Sequence, residues 1–127
     1  MRRKKKLIEN FIEELLEIIN TFYNCYYEAA PRETKFPYLV IPNIVMTPLN
    51  SGYLCLFDIE IFNNIISSIS VENIVDTLIQ KLNGYSFKNK DIAFHIGLEN
   101  ANILRIQEQD LTSRKVSFSA RVFGKGN

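Results

Sequence analysis

The sequence lacks the short motifs that mark common catalytic and cofactor sites. It has no glycine-rich phosphate loop after a strand, no His-Glu-x-x-His pair, no zinc-ligand spacing and no Gly-x-Ser-x-Gly elbow. His95 is the single histidine, and no motif marks a serine or cysteine nucleophile, so a strand-face residue is favoured over a catalytic base. These absences favour a protein that is not an enzyme and binds no cofactor.

Cysteines and long apolar runs are also scarce. Cys25 and Cys55 form no Cys-x-x-Cys pair, and free cysteine packs as a small hydrophobic residue, so we expect two reduced core thiols. A disulfide or a metal site is the alternative. No apolar run approaches the roughly 18 residues that span a bilayer. Glutamates from Glu9 onward exclude a signal-peptide core, and an intracellular, reducing setting is expected.

The charges nearly balance. Fifteen basic and 14 acidic side chains leave a formal charge of +1, which argues against a general polyanion binder. The block Arg2–Lys6 is the local exception: it is either an arm that touches DNA or an acidic neighbour, or a solvated flexible tail. The 127 residues fit one domain, residues 1–127, with flexible ends at 1–6 and 124–127.

Two stretches repeat apolar residues at helical spacing. The first starts at Leu7 and weakens at Asn20, and its apolar stripe faces away from a row of glutamates. The second follows Ser70, a good N-cap, and closes at Asn83-Gly84, which is typical of a helix C-terminus. Both patterns predict amphipathic helices that pack on a core.

The stretch Tyr26–Ile41 divides the helical part of the chain from the sheet. Pro31 and Pro37 bracket a charged loop, and apolar, strand-forming residues follow. The predicted strands are Tyr38–Met46 with a bend at Pro42, Tyr53–Phe62, Ile92–Ile96 and Ser113–Phe123. Cys25–Ala29 and Asn102–Gln107 are candidates for further strands. Residues 87–91 and 108–110 read as turns, and 97–101 as a break. The fold class is therefore α+β: one mainly antiparallel, possibly mixed, twisted sheet of about four to five strands, with two amphipathic helices on one face.

Two sets of charged residues have more than one interpretation. Asp58 and Glu60 lie two residues apart on one strand face, where they could share a metal or simply face solvent. A second set comprises the basic residues near the C-terminus, Arg105, Arg114, Lys115 and Arg121. These could meet a phosphate backbone, meet the acids of a neighbouring subunit, or lie in solvent.

The order of helices, loops and strands along the chain resembles that of a known group of proteins. The chain has a helix, a Tyr-Tyr-x-x-Ala-Pro loop, a Lys-Phe-Pro-Tyr strand start, an acidic hairpin strand, a second helix and a final strand. The residues concerned are Tyr26, Tyr27, Ala30, Pro31, Phe36, Pro37, Tyr38, Asp58, Ile59, Ile61, Asp110 and Arg114. This arrangement resembles the tail terminator and tail-completion proteins of long-tailed bacteriophages and related prophages. The Arg2–Lys6 block and the turn Phe62-Asn63-Asn64 depart from the usual pattern.

The resemblance implies a non-enzymatic virion assembly protein. Its copies, usually six, would form a ring that caps the tail tube, stops its growth and offers a head-joining surface. The implied partners are further copies, the tail tube protein and the head connector; DNA would pass through without sequence-specific binding. The implied location is the host cytoplasm during assembly and then the head-proximal end of the tail. The expected subunit or tube contacts are Glu28, Arg32, Glu33, Lys35, Arg105, Arg114, Lys115 and Arg121. The alternatives are another neck or baseplate component, or a small nucleic-acid-associated module that uses the N-terminal arm.

Overall fold

The computed structural model describes residues 6–64, 70–102 and 111–124, in which the chain forms two helices and seven strands. The helices are α1 (Leu7–Ile19) and α2 (Val71–Leu82). The strands are β1 (Cys25–Tyr27), β2 (Tyr38–Ile41), β3 (Ile44–Pro48), β4 (Tyr53–Asn64), β5 (Ser86–Lys88), β6 (Ile92–Asn102) and β7 (Leu111–Gly124). The α+β class is confirmed, but four to five strands was too low a number.

All seven strands belong to one sheet in the order β1-β2-β4-β7-β6-β5, and β3 also pairs with β4. β1 and β2 are parallel, while the other pairs are antiparallel. The sheet is therefore mixed. The centre is the β4–β7 ladder, in which twelve consecutive residue pairs run from Tyr53 opposite Val122 to Asn64 opposite Leu111.

Side chains along this ladder alternate between two faces, as the strand period requires. Cys55, Phe57, Ile59 and Ile61 of β4 are at most 3% exposed, and Val116, Phe118, Ala120 and Val122 of β7 at most 1%. One face of each of these two strands is therefore buried. Positions between them point to the opposite face.

The predicted bend at Pro42 is a bulge between β2 and β3. Val40 pairs with Glu60, and Ile44 pairs with Phe57. Four residue steps from β2 to β3 therefore lie opposite three residue steps of β4. Such a bulge leaves the extra residue without a ladder partner, which suits a proline that has no N–H to donate. The segment predicted as one strand is thus two strands on the same edge of β4.

Two predictions for the next part of the sheet were wrong. Phe87 and Lys88 belong to β5 rather than to a turn, and Phe87 stacks on Phe94 of β6 at 5.1 Å. Residues 97–101 do not break the chain: β6 continues through them along β7 and accommodates an irregularity between Leu98 and Asn100. Of the segment predicted as the strand Asn102–Gln107, only the backbone of Asn102 lies within the described residues.

Both helices cover one face of the sheet. α1 buries Phe11, Leu15 and Ile19, and α2 buries Val71, Ile74, Leu78 and Leu82, in one cluster with the inward side chains of the strands. The predicted caps of α2 are present. The Ser70 hydroxyl accepts a hydrogen bond from the Asn73 N–H at 3.1 Å, and Gly84 takes a left-handed φ of +83°. Neither described helix is long and apolar enough to cross a membrane.

Phe11 is the main contact between α1 and the sheet. It is fully buried, and its ring makes edge-to-face contacts with Phe94 at 5.0 Å and Phe57 at 6.0 Å.

The substitution Phe11→Ala tests this contact. Because it leaves a cavity between the helix and the sheet, it should lower the free energy of unfolding by about 3–5 kcal/mol, as measured by urea titration. Phe36→Ala, at a ring that is 40% exposed, is the matched control and should cost clearly less. Equal losses would contradict the assigned core.

Candidate functional site

The Pro31–Pro37 loop carries the first group of predicted contact residues. Arg32, Glu33 and Lys35 are exposed on it, and Glu28 is exposed where the chain leaves β1. Glu28 and Glu33 have φ of +72° and +61°, a left-handed conformation that costs non-glycine residues energy. The Glu28 N–H donates to the Ile41 carbonyl at 2.8 Å, which fixes the start of the turn. The loop is thus held in an unusual conformation with its charges outward.

Aromatic rings anchor this loop to the face of the sheet that the helices leave open, here called the helix-free face. Phe36 stacks on Tyr38 at 5.5 Å, and Tyr38 stacks on Phe62 at 5.3 Å. Tyr26 meets the edge of Tyr38 at 6.5 Å. Phe36, at the end of this row, keeps 40% of its surface exposed. Phe36 and Tyr38 therefore anchor the loop to the sheet, and one aromatic ring is left accessible.

The basic residues of β7 occupy different environments. The Arg114 guanidinium binds the Glu72 carboxylate of α2 at 2.7 Å and the Ser113 carbonyl at 2.8 Å, and only 18% of its side chain is exposed. It joins α2 to the sheet. Lys115 lies on the helix-free face, 3.6 Å from an oxygen of Asp58. Arg121 is exposed. Arg105 lies outside the described residues.

The register shows which predicted contact residues come together. Lys115 pairs with Glu60, which pairs with Val40, so Lys115 lies one row from Tyr38 and the loop. Arg121 pairs with Leu54 and with His95 at the other end of the strand, about 23 Å from Arg114 at strand spacing. The predicted contact residues that the structure describes therefore form no single patch.

Asp58 and His95 are engaged in ordinary strand-face interactions. Asp58 accepts a hydrogen bond from the Ser117 hydroxyl at 2.6 Å in addition to its contact with Lys115. Nδ1 of His95 lies 2.6 Å from the Ser86 hydroxyl on the neighbouring strand. Across the described ranges, no three His, Cys, Asp or Glu residues are grouped so that they could hold a metal ion.

A shallow groove of about 300 Å³ crosses the helix-free face from β3 to β6 and is here called the β3–β6 groove. One end is apolar: Val45 and Leu56 pair across strands and are 53% and 40% exposed. The other end is acidic, with Asp58 and Glu99, and the Ser119 hydroxyl donates to Glu99 at 3.0 Å.

The sequence alone did not predict this groove. It did contain one signal, because Leu54 and Leu56 occupy positions that alternate with the buried set of β4, where polar residues are the usual choice. No sequence feature marked Glu99 as part of this groove. It lies in the segment wrongly predicted to be a break, and only the continuation of β6 places it beside β7.

Both thiols are free and buried, as expected of core cysteines. Burial raises the pKa of Cys25 to about 12, against a smaller lowering by a backbone hydrogen bond at Tyr26, and burial raises the pKa of Cys55 to about 11. Because the thiolate is the reactive form, neither thiol is suited to nucleophilic chemistry near neutral pH.

Comparison with known proteins gives a structural likeness but no sequence match. No model of a known protein family matches the sequence, and no curated protein matches it. Among solved structures, the fold is similar to a chain described as the virion of a native gene transfer agent particle. The TM-score is 0.63 with 16% identity, over 78% of this chain and 78% of that chain. At this identity the likeness establishes a shared fold.

The thiols provide a test of the assigned interior. At about pH 8, a thiol reagent such as Ellman's reagent should modify both cysteines rapidly in denatured protein and neither on that time scale in native protein. Above about pH 9 the unfolded thiols ionise while the folded ones do not, so the free energy of unfolding should fall as the pH rises further. Rapid native labelling of either cysteine would contradict its burial.

Proposed function

We propose that this chain is a structural protein of a phage-like particle and acts as a tail terminator. In this role, copies of the chain form a ring, usually of six, on the end of the tail tube. The ring stops elongation and presents the surface to which the head connector binds. The chain is made in the host cytoplasm and ends in the virion, at the head-proximal end of the tail.

The observation that carries the proposal is the fold likeness to a chain of a gene transfer agent virion, which spans most of both chains. Fold alone does not fix function, so the surface provides separate support. The helix-free face exposes Val45, Leu56 and Phe36 beside charged groups, a composition suited to protein contacts. The described residues offer no metal cluster and no activated thiol.

The structure also bears on the nucleic-acid hypothesis. Arg114 and Lys115 each have an acidic partner within the chain, which reduces their use as phosphate ligands. Of the Arg2–Lys6 block, only Lys6 lies within the described residues, where it is exposed. Protein contact is therefore the function that the described surface supports better.

Deletion of the gene from the element that encodes it tests the terminator role. Because nothing would stop tube growth, we expect negative-stain microscopy to show tails of abnormal length that are not joined to heads. A plasmid copy of the gene should restore normal particles, and the same plasmid with an early stop codon should not. Tails of normal length joined to heads in the deletion strain would contradict the role. Abnormal tail tips with normal head joining would indicate a baseplate component instead.

A further inference from the structure

The β3–β6 groove has two chemically different ends. Val45 and Leu56 form an exposed apolar end, while Asp58 and Glu99 supply carboxylates at the other end. Hydrogen bonds from Ser117 at 2.6 Å and Ser119 at 3.0 Å hold these carboxylates in place. Lys115 lies 3.6 Å from Asp58 and partly offsets its charge, so Glu99 supplies most of the negative charge at this end. Such a groove is complementary to a segment that carries an apolar group next to basic side chains.

The Pro31–Pro37 loop of the same chain has that composition. Phe36 presents a ring that is 40% exposed, and Arg32 and Lys35 supply two exposed cations against the single acid Glu33. The ring is held by its stack on Tyr38, so little conformational freedom is lost when it binds. Aromatic residues, phenylalanine included, and arginine are enriched at protein interfaces.

The loop cannot occupy the groove of its own chain. Phe36 is fixed beside Tyr38, which pairs with Phe62 of β4, whereas Leu56 in the groove lies six residues back along β4. At strand spacing this is about 20 Å. The two complementary surfaces of one chain are therefore both available to other copies.

We propose that the Pro31–Pro37 loop of one copy binds the β3–β6 groove of the next copy, with Phe36 against Val45 and Leu56. In this contact Arg32 and Lys35 face Asp58 and Glu99. The two surfaces differ, so the contact is head-to-tail, and its repetition builds a ring when the rotation closes. The inference rests on the proposed assembly role and assigns it a specific subunit contact.

Charge exchange at Lys35 and Glu99 tests the contact. Each reversal places like charges at the interface, so Lys35→Glu and Glu99→Lys should each weaken self-association by about tenfold in sedimentation velocity. An equimolar mixture of the two variants should associate as strongly as the wild-type protein does. In that mixture every contact is either the wild-type pair or the exchanged pair, and the two variants alternate along the assembly.

Two further variants complete the experiment. Phe36→Ala should weaken association by about tenfold or more, because it removes the apolar anchor. Lys88→Glu, an identical charge change on exposed β5, is the matched control and should associate as wild type does. Circular dichroism of each variant verifies folding.

Three results would each overturn the contact. The first is a wild-type protein that stays monomeric up to about millimolar concentration. The second is single variants that associate as the wild type does, and the third is a mixture that associates no more strongly than either variant alone. If the association experiment gives one of these results and the deletion strain still has abnormal tails, the proposed contact is wrong and the terminator role stands. Normal tails would remove the role itself.

Discussion

The long antiparallel ladder between β4 and β7 is the constraint on which the rest of the structure depends. Its twelve continuous pairs set two faces across the centre of the sheet, because each strand alternates its side chains with a period of two. A shift of one residue would turn Phe57 and Phe118 out of the core. Every other strand attaches directly or indirectly to this pair, and both helices cover its apolar face. The register thus determines both what is buried and what remains for contact.

The opposite face follows from the same register. Its centre is polar, with Asp58, Ser117 and Lys115 joined in a small network, and apolar side chains lie on either side of that centre. One apolar group is the row of rings that ends at Phe36, and the other is the pair Val45 and Leu56. Leaving such groups in water forgoes the free energy of burying them. Their separation on one face, each beside charges of a different sign, is the basis for proposing that copies join head to tail.

The parts of the fold that depend on neighbouring residues could be predicted from the sequence. The cap at Ser70, the left-handed Gly84 and the inward set of β7 follow from spacing and local chemistry. The remaining features depend on contacts between distant segments. β1 and β2 pair in parallel, which requires the connection through residues 28–37 to return the chain to the same end of the sheet. Likewise, Arg114 meets Glu72 across 42 residues of sequence, a pairing that no periodicity encodes.

The candidate site was predicted in part for the same reason. The charged loop could be found because two prolines bracket it, but the groove draws Val45, Leu56 and Glu99 from three strands. β6 stays paired with β7 past Gly97, although the register shifts by one residue between Leu98 and Asn100. The most direct test of the central claim, the head-to-tail contact between copies, is a cryo-EM reconstruction of the assembly that this chain forms. We predict adjacent copies with the helix-free face of one buried against the loop of the next. Copies whose helix-free faces all lie open to solvent would contradict the claim.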